Sequence, residues 1–195
     1  TVMRGPQVSA FAEKNGLKQV SVADLIAYRQ RQETLVERVA SFDIDTPSGP
    51  AKAHAYTLPW EAMQHLAIVF GDIRDGVDIP VRLHTEDVVT DVFGTEERLR
   101  EAMERMNGLG RGVLVYLREG SVGVAHQNRR RPAGNESRED HDEALRRESE
   151  WREIGLGAQI LKDLGISSIK LMASRERHYV GLEGFGIEIA STDIM

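Results

Sequence analysis

Gly112-Val113-Leu114-Val115-Tyr116-Leu117 is the most strand-like run in the chain, apolar throughout and far too short to cross a bilayer. Working outward from it, Leu99, Ala102, Met103 and Met106 form the apolar stripe of a helix. Thr95 with Glu96 and Glu97 marks its start, since acidic groups favour the positive end of the helix dipole, and Asn107-Gly108 stops it. Before this helix lie two further strands, Leu66 to Phe70, ending at Gly71-Asp72, and Ile79 to His84, with Pro80 near its start where a missing N–H is tolerated. After the central run, Leu156, Ile160, Leu161 and Leu164 space a helix ended by Gly165, and strands follow over Ser168 to Ala173 and Ile187 to Ala190. Alternating strands and helices without an internal repeat predict a mixed α/β (α+β) domain.

The flanks read differently. Asn15-Gly16 marks a turn, and Ser21-Val22-Ala23-Asp24 reads as a capping box. Val22, Leu25, Ile26, Leu35, Val36 and Val39 recur at helical spacing, which predicts a connecting helix up to about residue 39. From Ala40 the pattern turns to strands, with turn chemistry at Pro47-Ser48-Gly49-Pro50. Residues 125 to 153 are dense in both charge signs and poor in large apolar side chains, so a loop is expected there, leading into a short helix near Trp151.

Composition narrows the function classes. The chain of 195 residues is 41% hydrophobic and 29% charged, enough for an ordinary core. A net charge of -6 argues against a nucleic-acid partner, although a local basic site can still hold a nucleotide phosphate. With no apolar run of membrane-spanning length and no basic-then-apolar leader, a cytoplasmic chain without a membrane partner is expected. Its opening at Thr1 suggests a fragment of a longer protein. There is no cysteine, which excludes disulfides, thiolate nucleophiles and thiolate-bound zinc together.

Three passages resemble GTP cyclohydrolase II, the zinc enzyme that opens the guanine imidazole ring of GTP in riboflavin synthesis. The first runs from Leu66 to Ile73, continues at Val81-Arg82-Leu83-His84-Thr85-Glu86, and ends on Asp91-Val92-Phe93-Gly94. Gly110-Arg111-Gly112 through Glu119-Gly120 is the second, and Gly155 to Leu161 with Asp163-Leu164-Gly165, closing on Gly181 to Gly186, is the third. They fall in the family's order over roughly residues 40 to 190. The resemblance implies that family's fold, a mixed sheet with flanking helices, and a homodimer. Phe11-Ala12, Gly16-Leu17-Lys18 and Ser21 to Arg29 resemble the tail of a 3,4-dihydroxy-2-butanone 4-phosphate synthase domain. Residues 1–39 are then that tail with a connecting helix, residues 40–195 are the cyclohydrolase II-like domain, and the attached synthase is the expected partner.

The family's active site survives only in part. Its zinc is held by three thiolates and activates a water. Asp87 stands at the first thiolate position, and the loop bearing the other two is missing between Gly94 and Leu99, so no zinc and no other resident cofactor is expected. His84, Glu86, Asp87 and Asp91 suggest an oxygen-rich substitute set, but strand alternation would scatter them over both faces. Arg82, His84, Glu86, Glu119 and Gly120 match nucleotide-binding positions, whereas Ser121 replaces a phosphate-binding arginine. For Arg82 and Glu86, a plain ion pair along the strand is equally open. Glu150 and Arg152 match the family's catalytic Asp-x-Arg with a lengthened acid, or are simply a solvated helix face. Ala173 and His178 replace a threonine and a phosphate-binding lysine. These changes imply a scaffold that has lost its zinc reaction and supports or regulates the attached synthase. The alternatives are GTP binding or pyrophosphate release without zinc, with Mg²⁺ accompanying the nucleotide, and a nucleotide or metabolite sensor.

Overall fold

A computed structural model describes residues 6–20, 28, 33–59, 61–94, 97–118, 154–174, 182 and 184–195. The capping box at Ser21, the charged stretch 125–153, Glu119, Gly120, Glu150, Arg152 and His178 lie outside the described residues.

Three long strands come first: β1 (Glu37–Thr46), β2 (Gly49–Leu58) and β3 (Glu61–Gly71), joined as an antiparallel meander. The turn between β1 and β2 is the Pro47-Ser48 pair followed by Gly49, whose φ of 121° suits glycine alone. Thr46 Oγ1 closes it by donating to the Gly49 carbonyl at 2.7 Å. The chain then forms β4 (Ile79–Thr85), a π-helical turn (Val89–Phe93), helix α2 (Arg98–Gly108) and β5 (Arg111–Leu117). Helix α3 (residues 154–163), β6 (Ser168–Ala173) and β7 (Glu188–Ile194) complete it. At the N-terminal end, α1 (Pro6–Lys14) buries Ala12 and stops at Gly16, with φ of 62°.

All seven strands form one sheet in the order β1-β2-β3-β5-β4-β6-β7. β3 joins β5 antiparallel, while β5, β4, β6 and β7 run parallel. The expected class, a mixed sheet with flanking helices, is what the chain adopts. Strand alternation divides the core between two faces. Val81, Val113, Val115 and Leu171 pack with Leu156, Ile160 and Leu161 of α3. Phe70, Leu114 and Met172 pack with Ala102 and Met106 of α2. The two helical crossovers therefore cover opposite faces, as right-handed connections from β4 to β5 and back across β4 to β6 require.

The helical spacing expected through Val39 gives way to β1 from Glu37. Leu35 and Val36 donate their backbone N–H groups to Gln159 Oε1 at 2.7 and 3.3 Å, which ties this segment to α3. Pairing of Glu37 with Thr57 then carries the chain on as a strand, so a tertiary partner overrides the local period. The last strand is also displaced, running over Glu188–Ile194 and not Ile187 to Ala190.

Two kinds of site limit stability. Gly71 and Gly110 both have left-handed φ, 61° and 69°, but a Cβ at Gly71 would overlap the Gly110 carbonyl while one at Gly110 meets open space. Gly71→Ala is expected to cost more than about 2 kcal/mol and Gly110→Ala about 1 kcal/mol in urea unfolding; equal costs would show that the crossing is not tight.

Buried histidines set the second limit. His65 is 2% exposed, and its Nδ1 accepts the Arg118 N–H at 3.1 Å. Burial first, and then the Arg118 charge, hold its pKa below the ordinary 6.5. His54, bonded to Ser41 Oγ at 2.7 Å, is lowered in the same way by burial and then by Arg38. Unfolding lets both take up protons that the folded state refuses, so stability is full above their ordinary pKa and falls as pH drops below it. Urea midpoints should decrease between about pH 7.5 and pH 5.5, and His65→Gln should shrink that decrease. An unchanged pH slope in the variant would contradict this assignment.

Candidate functional site

β4 has parallel neighbours on both sides, one reached through α2 and the other through α3. Such a reversal of winding leaves a crevice at the carboxyl ends of the strands, where open α/β sheets bind their ligands. The carboxyl ends of these strands are at Thr85, Leu117 and Ala173. Arg82 and His84 stand two residues apart and so share a face. They pair in register with Leu114 and Tyr116, which puts them on the α2 side.

Arg82 is buried, 4% exposed, and its Nη2 donates to Ser174 Oγ at 2.9 Å just past the end of β6. His84 stacks on Tyr116 with ring centroids 5.4 Å apart. Its Nε2 lies 2.8 Å from Asp91 Oδ1. The second oxygen of Asp91 accepts the Tyr116 hydroxyl at 2.7 Å and the Asp87 N–H at 3.0 Å. Burial, with this acceptor second, raises the Tyr116 pKa, so the phenol stays protonated and donates. Glu86 extends the ladder by donating its N–H to the Leu117 carbonyl at 2.7 Å. Its carboxylate takes Arg118 Nε at 3.0 Å. The open alternative of an Arg82–Glu86 pair along the strand is thus replaced by two separate contacts, to Ser174 and to Arg118.

The turn after β4 corrects a second expectation. His84, Asp87 and Asp91 are not scattered, because the π-helical turn brings Asp91 back beneath His84 and beside Asp87; only Glu86 faces elsewhere. Gathered as they are, these carboxylates are already engaged by protein donors. Asp87 Oδ2 accepts Thr90 Oγ1 at 2.8 Å and Oδ1 accepts Thr90 N–H at 3.2 Å. Both oxygens of Asp91 are taken as described. Zinc of the structural or hydrolytic kind needs three or four thiolate, imidazole or carboxylate ligands converging on one point. Among the described residues no group of three or more such side chains is placed to hold a metal.

Of the residues the sequence singled out, Arg82 and His84 lie on one face of β4 and Glu86 just past its end, each with its own partner. Tyr116 was hidden within an apolar strand run, and nothing in the spacing of Asp91 to His84 announced their bond. The π-helical turn that joins them leaves Val92 and Phe93 exposed, so its apolar residues gave no buried period to read.

Comparison with known proteins agrees with this architecture. Residues 37–193 match the GTP cyclohydrolase II family. The chain is 40% identical over 196 residues to the monofunctional riboflavin biosynthesis protein RIBA 2, chloroplastic, of Arabidopsis thaliana, across 97% of this chain and 40% of that protein. It is 38% identical over 199 residues to the riboflavin biosynthesis protein RibBA of Aquifex aeolicus, across 97% of this chain and 49% of that one. RibBX from A. baumannii, described as a two-domain 3,4-dihydroxy-2-butanone 4-phosphate synthase, superposes with a TM-score of 0.74 at 30% identity, covering 100% of this chain and 51% of that chain. The chain thus spans about half the length, or less, of these relatives. Among the described residues no helix is long and apolar enough to cross a membrane. By its family match, its relatives and its sheet, this chain belongs to the GTP cyclohydrolase II family, as a domain of the kind carried by riboflavin biosynthesis proteins.

Proposed function

We propose that this domain keeps the GTP cyclohydrolase II scaffold without its zinc-dependent ring opening, and supports or regulates an attached 3,4-dihydroxy-2-butanone 4-phosphate synthase. The observation that carries the proposal is Asp87. It occupies the first thiolate position of the resembled motif in a chain without cysteine, and its carboxylate is engaged by Thr90. Without a metal to lower the pKa of a bound water, the scaffold has no hydroxide for the guanine ring at neutral pH. Two relatives support the reading by name. One that aligns over nearly all of this chain is called monofunctional, and the other is described as a two-domain synthase. On this reading residues 1–39 are the end of the synthase part, and the homodimer belongs to the same proposal.

A second reading is favoured by Arg82. A buried guanidinium bonded to a hydroxyl at the carboxyl end of parallel strands is suited to an anionic ligand, and His84 follows two residues on along the same face of β4. GTP or a related nucleotide would then still bind, either as an effector or for Mg²⁺-assisted pyrophosphate release through Glu150 and Arg152.

Metal analysis of the purified protein, with formate and pyrophosphate assayed after incubation with GTP and Mg²⁺, tests both. The proposal expects substoichiometric zinc and no formate. Bound zinc with formate release would overturn it, and pyrophosphate without formate would establish the second reading. In the intact two-domain protein, deleting residues 40–195 should lower synthase activity or its melting temperature; unchanged values for both would remove the supporting role.

A further inference from the structure

The hydrogen bonds around Asp91 have a defined polarity. A backbone N–H can only donate, so Asp87 N donates to Asp91 Oδ2. The phenol of Tyr116 donates to the same oxygen. Oδ1 is left for His84 at 2.8 Å, and a carboxylate oxygen can only accept. The imidazole nitrogen facing it must carry the hydrogen. Which ring nitrogen of a histidine is protonated follows from the bond that the other one makes. The stack on Tyr116, with ring planes 25° apart, and a side-chain exposure of 17% hold the imidazole in place. Nδ1 has no hydrogen-bond partner among the described residues.

We infer that Asp91 fixes His84 as the Nε2–H tautomer, so that Nδ1 presents a lone pair to an N–H or O–H donor of a ligand at the strand ends. Asp91 is then a positioning residue that acts through His84. The arrangement gives the crevice two kinds of recognition. Arg82 supplies positive charge for an anion, and His84 supplies an acceptor for a donor-bearing ring or sugar. A nucleoside phosphate carries both complementary groups, whereas inorganic phosphate carries only the first. The ligand half of this inference rests on the nucleotide reading above; the tautomer does not.

Long-range ¹H–¹⁵N correlation spectra of the full chain at about pH 8, where an ordinary imidazole is neutral, read the tautomer directly. His84→Gln identifies the signals. The inference expects Nε2–H in the parent chain and in Tyr116→Phe, which keeps the aromatic stack. In Asp91→Asn the amide oxygen remains with the two donors, Tyr116 and Asp87, so its NH₂ faces His84 and the tautomer reverses to Nδ1–H. An Nδ1–H or doubly protonated His84 in the parent, or no reversal in the variant, overturns the tautomer. For the ligand half, GTP titrated calorimetrically should bind Asp91→Asn about tenfold or more weakly than the parent. Equal GTP affinity despite a reversed tautomer overturns the acceptor role. A parent that shows Nε2–H yet gives no heat with millimolar GTP overturns the nucleotide reading and upholds the tautomer alone.

Discussion

The seating of α2 on β5 is the contact on which the remaining architecture depends. Met106 lies directly over Gly112, at a distance that leaves no room for a Cβ, and both it and Ala102 are fully buried. That approach brings α2 down onto Phe70, Leu114 and Met172, while the opposite side of β5 offers Val113 and Val115 to α3. A strand buried on both faces reads as a continuous apolar run and not as alternation, which is why the segment from Gly112 to Leu117 stood out. Once β5 is covered from both sides, β4 and β6 must continue a parallel sheet, and the crevice at their ends follows from the reversal in strand order.

At the carboxyl ends of β4 and β5 the carboxylates of Asp87 and Asp91 are engaged by protein donors. A carboxylate left unpaired in a partly buried setting costs about 1–3 kcal/mol or more. Here the Asp87–Thr90 and Asp91–Tyr116 bonds avoid that cost, and the turn after β4 keeps a defined shape. The core of the domain is built from the apolar faces of the sheet, α2 and α3 and from close glycine crossings.

The legible parts of the fold were those with local causes. β4, β5, β6, α2 and α3 follow from unbroken apolar runs or helical spacing closed by glycine, and Gly165 does have a left-handed φ of 78°. Leu35, Val36 and Val39 misled because their spacing fits a helix equally well. The partners that decide otherwise, Gln159 and β2, lie far away in sequence or fold back across a turn. In the site, Arg82, His84 and Glu86 could be named from their motif. Their contacts could not, because Ser174, Arg118 and Asp91 are brought to them by three different connections. Asp91 is the plainest case: a carboxylate in sequence looks like a metal ligand or a solvated charge, and only the π-helical turn makes it the acceptor of three protein donors.

The register shift between Arg38 and Ala40 in β1 has a consequence for how molecules meet. β1 is an outer strand of ten residues, exposed over most of its length, with Val39 and Phe42 open to solvent. A long flat edge of this kind would template the addition of further strands, from another copy or from an unfolding chain. The bulge twists the edge away from flatness, and Glu37, Arg38, Asp43 and Asp45 put charge along it, so that an incoming strand must desolvate ionised groups to pair. The irregularity that spoils the ladder locally is therefore a guard against uncontrolled sheet growth at an exposed border of the domain.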